Sequence, residues 1–136
     1  MVEFAIVVLV FATLVLGMLD LGYGVFQYHI VAEAARQGAR QAIVHGGLAD
    51  RLGPWGPASY SGNGNDTHPL AEAIRPYLVG LDPAEVTIEA VWLDGANGLD
   101  DRVQITVGTP FRPIITFIFK RPVFDLEATS TMRIAH

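Results

Sequence analysis

The stretch FAIVVLVFATLVLGML, Phe4–Leu19, and the stretch QYHIVAEAARQGARQAIVHG, Gln27–Gly46, decide how this chain is built. Sixteen residues at ~1.5 Å each extend about 24 Å, and the apolar character resumes after Asp20 as LGYGVF, carrying the run past the ~30 Å hydrocarbon thickness of a bilayer. No proline or turn signal separates the two stretches. In the second, Ile30/Val31, Ala34/Ala35, Gly38/Ala39 and Ala42/Ile43 recur every three to four residues, while Glu33, Arg36, Gln37 and Arg40 share a polar face. The pattern predicts one helix from about residue 2 to about residue 45, roughly 60 Å long, apolar all round below and amphipathic above. His45, Gly46 and Gly47 are its expected stop, an imidazole in the last turn followed by glycines able to take left-handed geometry.

A chain of 136 residues accommodates one small domain beside such a helix and no second ordinary core. Its composition, 51% apolar and only 17% charged, departs from that of a typical soluble domain, and the excess sits at the start. A net charge of −5 without a basic run gives no support for binding to nucleic acid, which needs clustered Lys or Arg on phosphates. With no cysteine, disulfides and thiolate metal sites are excluded. A cleavable signal peptide would show a basic opening, a shorter apolar core and a small-residue cleavage site; the run has none of these and is expected to stay in the working protein.

Residues 46–136 are expected to form a β-rich headpiece on the helix of residues 1–45. Glycine and proline crowd GGLADRLGPWGPASYSGNGNDTHP, residues 46–69, which predicts an exposed loop pinned by Trp55 and Tyr60. PLAEAIRPYLVGL reads as a short helix that Pro76 ends or kinks. The period then changes to two. Val86, Ile88, Ala90 and Trp92 alternate with polar neighbours, GANGLDD turns the chain, and Val103, Ile105 and Val107 alternate again, which predicts a hairpin. PFRPIITFIFKRP reads as a loop or short helix and VFDLEATSTMRI as a final strand. The fold class is therefore α+β, a long N-terminal hydrophobic helix packed at its upper half against a small antiparallel sheet.

A helix whose lower half is apolar on every side needs lipid, or copies of itself, around that half. The arrangement suits a subunit stored in a membrane and then packed by its helix into an open-ended, heterologous stack. The sequence VEFAIVVLVFATLVLGMLDLGYGVFQYHIVAEAARQGARQA, with V-E-F at the start of the apolar run, an acidic residue followed by glycine near its end, and an A-A-R-x-G-A-R block, resembles the TadE-like family of pilins and pseudopilins. The tail ATSTMRIA resembles the close of that family's domain. The resemblance implies a type IV pilin-like homopolymer of the tight-adherence branch, held in the cytoplasmic membrane before assembly and extracellular afterwards. It also implies a prepilin peptidase, an inner-membrane platform and a cytoplasmic ATPase as partners. Glu3 departs from the type IV pattern, in which the glutamate stands fifth from the mature N-terminus, so the cleavage position is not fixed by the sequence.

The charged residues in the helix are the candidate assembly residues. A bare carboxylate in hydrocarbon is expensive and is expected to be paired or protonated. For Glu3 the resemblance implies a pair with the N-terminal ammonium of a neighbouring subunit; the plain alternative is a terminal residue reaching interfacial water. Asp20 lies sixteen residues below Arg36, about 24 Å along a helix, so a neighbour displaced by that amount would set its Asp20 level with this arginine; Arg40 requires about 30 Å. The alternatives are a local bond from Asp20 to Tyr23 and a solvated face on which Glu33 ties the arginines. Gly17, Gly22 and Gly24, each costing roughly 1 kcal/mol of helix propensity against alanine, either permit close packing or let the helix loosen.

No phosphate loop, nucleophile elbow or zinc-protease motif occurs, so neither an enzyme nor a cofactor is predicted. His29, His45, His68 and His136 share no ligand spacing, Asp66 with His68 makes only a lone pair, and Asp94, Asp100 and Asp101 do not follow an EF-hand. Asn65-Asp66-Thr67 is an N-x-T sequon, which makes Asn65 or Thr67 a candidate glycosylation position. The other readings to separate are a minor or priming pseudopilin, of a tight-adherence or a secretion system, and a monomeric, membrane-anchored surface binding module.

Overall fold

The computed structural model describes residues 2–49, 51–113 and 124–135. Helix α1, Val2–Ala42, is followed by strand β1, Tyr60–Asn63, helix α2, Pro69–Ile74, and a 3-10 turn, Arg75–Tyr77. Strands β2, Thr87–Trp92, β3, Arg102–Phe111, and β4, Phe124–Arg133, complete the chain. The sheet is an antiparallel meander in the order β1-β2-β3-β4. The fold is α+β.

The alternation of side chains sets which face of the sheet is buried. Ile88, Ala90 and Trp92 stand opposite Val107, Ile105 and Val103, and all six are buried. On the solvent face Glu89, Thr106 and Thr129 lie in one cross-strand row, with the two threonine hydroxyls 3.1 Å apart. Helix α1 covers the inner face with Val31, Ala34, Ala35, Gly38, Ala39 and Ala42, all buried. These side chains are small, so the helix axis lies close to the sheet. A β-carbon on Gly38 would stand 2.6 Å from Ile74 Cδ1 and 3.2 Å from Ile105 Cγ2. Leu70, Ala71 and Ile74 of α2 close the same core from the side.

Two expectations are modified. Helix α1 ends at Ala42, not near residue 45, and the residues after it wind on as tight turns, Val44 N to Gln41 O and His45 N to Ala42 O. Gly46 and Gly47 are not among the glycines with positive φ; Gly47 N instead donates to Asn97 O, and a β-carbon there would strike that carbonyl. Within residues 46–69, Tyr60–Asn63 is an edge strand on β2, with Tyr60 opposite Ala90, and not part of a free loop. The short helix and its end at Pro76 are present as α2 and the 3-10 turn. The reading of residues 110–122 as a loop or short helix lies, for residues 114–122, outside the described residues; Pro110 and Phe111 end β3.

The strand hairpin is fixed at its turn. Asp94 accepts from Arg102 N at 2.8 Å and from the Arg102 guanidinium at 3.1 and 2.7 Å, while Gly95 and Asp100 take left-handed φ of 70° and 69°. The last residues return to the top of α1, with Ala135 N donating to Ile43 O at 3.2 Å.

Candidate functional site

The chain leaves one large surface uncovered. Helix α1 is long and apolar enough to cross a membrane, and its most apolar 18-residue window, with mean hydropathy 2.6, has none of its length buried within the chain. Phe4, Leu9, Phe11, Leu14 and Met18 all stand more than half exposed. Glu3 lies exposed in the first turn, where a carboxylate also meets the positive end of the helix dipole.

Asp20 does not share this exposure. It is 7% exposed and faces an apolar groove of about 480 Å³ where α1 leaves the headpiece, lined also by Gly17, Gly24, Tyr28, Phe111 and Phe124. Spacing explains the direction: Asp20, Gly24, Gln27, Val31, Ala34 and Gly38 follow one another at intervals of three and four, so Asp20 continues the stripe that packs on the sheet. Arg36 and Arg40 lie on the opposite, exposed side of the helix. Asp20 and Arg36 therefore point to opposite faces. A pair between Asp20 and a neighbour's Arg36 requires the neighbour's headpiece face to meet this outer face and Asp20 to become accessible.

Arg36 has a local partner. Its guanidinium reaches Glu33 Oε2 at 2.9 Å, and Gln37 Nε2 donates to the other oxygen at 2.7 Å. Gln37 first and Arg36 next hold the Glu33 carboxyl below its ordinary range. Among the three glycines, Gly24 gives close packing: a β-carbon there would lie 3.3 Å from the Phe111 ring. Gly22 faces open space, and Gly17 lines the groove. The helix runs unbroken through all three.

The far end of the headpiece is held by side chains that the sequence offered as ligands. Asp66 Oδ2 accepts from Tyr60 Oη at 2.8 Å and from Asn63 N at 3.1 Å, and Arg75 donates to the Gly64 and Asp66 carbonyls at 3.0 and 2.9 Å. His68 stacks on Tyr60 with ring centroids 3.9 Å apart, and its Nδ1 accepts from Leu70 N to cap α2. Burial, then the Asp66 bond, pushes the Tyr60 hydroxyl up to about 12. Burial lowers the His68 imidazole against the opposing pull of Asp66. Asn65 and Thr67 are exposed on this loop. Among the described residues, no three of His, Cys, Asp or Glu are grouped to hold a metal ion. Asp94 is taken up by Arg102, which holds its carboxyl at about 2.

This geometry, an uncovered apolar rod carrying a small sheet, is the setting for one comparison. Residues 1–40 match the family model described as TadE-like protein. The TadE-like segment includes Glu3, Asp20, the three glycines, Arg36 and Arg40, and excludes the whole sheet. No curated protein and no solved structure matches the chain. Three residues that shape the lower headpiece, Gln27, Phe111 and Phe124, were not singled out by sequence. Gln27 was visible in principle, as a polar residue on the inward stripe; Phe111 and Phe124 become neighbours, 5.0 Å apart between centroids, only through the pairing of β3 with β4.

Proposed function

We propose that this chain is a structural subunit of an extracellular pilus of the tight-adherence, type IV class, polymerising through α1. The observation that carries this reading is the apolar window of α1, none of it covered by the chain's own headpiece, although the upper part of the same helix is built into the core. Burying apolar surface contributes about 25 cal/mol per Å², so side chains of this size left in water would disfavour the free subunit strongly. Lipid meets that need before assembly and neighbouring helices meet it afterwards. One rod and one headpiece per copy give a heterologous, open-ended contact, which extends as a filament. The TadE-like match over the same residues supports the assignment.

In the filament, Glu3 docks against a neighbour's N-terminus, and Arg36 and Arg40, on the face turned away from the headpiece, help choose the register. The sheet and the Asn65–Thr67 loop form the outer surface. Mass spectrometry on fibres sheared from cells tests the assignment: this chain is expected as the bulk component, with the N-terminal residue left by a prepilin peptidase. Trace amounts would make it a minor or priming subunit. Recovery only from the membrane fraction, as a detergent-soluble monomer, would establish the anchored binding module in its place.

A further inference from the structure

The part of α1 that leaves the headpiece carries aromatic rings around its circumference. From Glu3, whose carboxylate belongs at one edge of a hydrocarbon layer, twenty residues rising about 30 Å lead to Tyr23, which matches the thickness of that layer. Tyr23, Phe26 and Tyr28 lie within the next ~8 Å, the depth of one headgroup layer, and each is between 41% and 53% exposed. The sheet sets two more rings at the same height. A β-carbon on Gly24 would lie 3.3 Å from the Phe111 ring, Tyr23 and Phe111 have centroids 6.3 Å apart, and Phe124, itself 53% exposed, stands 5.0 Å from Phe111. Tyr28, Phe111 and Phe124 line the apolar groove of about 480 Å³ together with Leu21 and Val25.

We propose, on the reading that α1 is stored in a membrane before assembly, that the base of the headpiece docks into the same bilayer, with Phe124 in the interfacial layer and lipid chains filling the groove. The position follows from continuity along one helix: α1 cannot place residues 4–19 in hydrocarbon without bringing the groove, which begins at Gly17, Asp20 and Leu21, to the edge of that layer. Aromatic side chains favour this edge, where a ring meets hydrocarbon and a polar tip meets water. Asp20 also borders the groove, but it is 7% exposed, so the wall that lipid meets is almost wholly apolar. At the same height the other side of α1 is different. There Asp82, Glu85 and Arg112 line a polar cleft with Tyr23 and Gln27, which suits headgroups and water. The headpiece therefore leans with its groove side toward the bilayer. Two carboxylates beside one guanidinium give no preference for anionic lipid, so burial of apolar surface and not charge holds the contact. Docked in this way, the headpiece keeps one orientation about α1, and the groove stays out of water until neighbouring copies replace lipid.

Because the chain has no cysteine, single fluorescent reporters can be attached where the test needs them. The full chain in phosphatidylcholine nanodiscs carries an environment-sensitive label on Phe124→Cys, on Leu126→Cys in the same groove wall, on Leu9→Cys in the rod, or on Leu48→Cys, which is 70% exposed beyond the upper end of α1. A nitroxide on the lipid chain close to the headgroup is expected to quench the labels at 124 and 126 several times more than the label at 48, and aqueous iodide is expected to do the reverse. The label at 9 is expected to be shielded from iodide and quenched by a nitroxide deep in the chain. If the label at 9 is shielded while those at 124 and 126 are as open to iodide as the one at 48, the docking is overturned and α1 still spans the membrane. If the label at 9 is itself open to iodide, the membrane-stored state falls and the docking with it. Lipid quenching at 124 and 126 that appears only when phosphatidylglycerol is added would overturn a contact held by apolar burial.

Discussion

Asn97 shows how single polar residues hold this headpiece together. Its Oδ1 accepts from Trp92 Nε1 at 2.9 Å inside the core, its Nδ2 reaches His45 O at 3.4 Å, and its backbone carbonyl accepts from Gly47 N. Asn97→Ala leaves the buried indole N–H without an acceptor and is expected to cost about 1–3 kcal/mol, read as a lower urea midpoint at unchanged slope. An unchanged midpoint would show that water replaces the amide. The titrating residues set a pH window. Asp94, with its pKa lowered from 3.8 to about 2, contributes stability above pH 3.8 that is lost as pH falls toward 2. His68, lowered from 6.5, adds a loss that begins as pH falls below 6.5, because the unfolded chain then takes up the proton first. Tyr60, raised from 10.0 to about 12, removes stability as pH rises across that interval. Melting temperature against pH is thus expected to be flat from about 7 to 10 as far as these groups contribute; removal of the shoulder below 6.5 by His68→Asn would identify its source.

At the scale of elements, what the sequence revealed follows from how strongly each segment is patterned. Strands β2 and β3 carry their period in large apolar residues, with Ile88, Ala90 and Trp92 paired to Val107, Ile105 and Val103, and the inward stripe of α1 carries its own in small ones, Ala34, Ala35, Gly38 and Ala39. Strand β1 was hidden because YSGN has a single large apolar residue and a glycine on which the Tyr60 and Asp66 side chains rest; its strand character comes from pairing with β2. The inward direction of Asp20 and Gln27 was legible in the spacing, but the expectation that charges serve neighbours masked it. Gly38 records the closeness of helix and sheet. Gly38→Val gains a few tenths of a kcal/mol to about 1 in helix propensity, yet drives two methyl groups into Ile74 and Ile105, at a cost of about 1–3 kcal/mol. The net expectation is a less stable headpiece, measured by denaturant unfolding in detergent; a variant as stable as the parent would mean that α1 can move off the sheet.

At the scale of the whole molecule, the two halves of α1 belong to different structures. The upper half completes a core with the sheet, and the lower half awaits lipid or copies of itself. Arg36→Glu separates the two roles: its pair with Glu33 is exposed, so the full chain in detergent is expected to melt within about 1 kcal/mol of the parent, whereas fibre yield is expected to fall if the outer face of α1 sets the register. Full fibre yield would remove Arg36 from assembly. The central claim is that the lower half of α1 is covered by α1 of other copies, and the absence of cysteine makes it directly measurable. Variants with two cysteines, one at Leu9, Phe11 or Leu14 and the other higher on α1 at Leu21 or Val25, oxidised in sheared fibres, are predicted to give subunit-to-subunit disulfides in high yield for at least one pairing, because displaced copies bring different positions of the helix together. Fibres in which none of these positions cross-links, or chains found only as uncross-linked monomers in membranes, would contradict it.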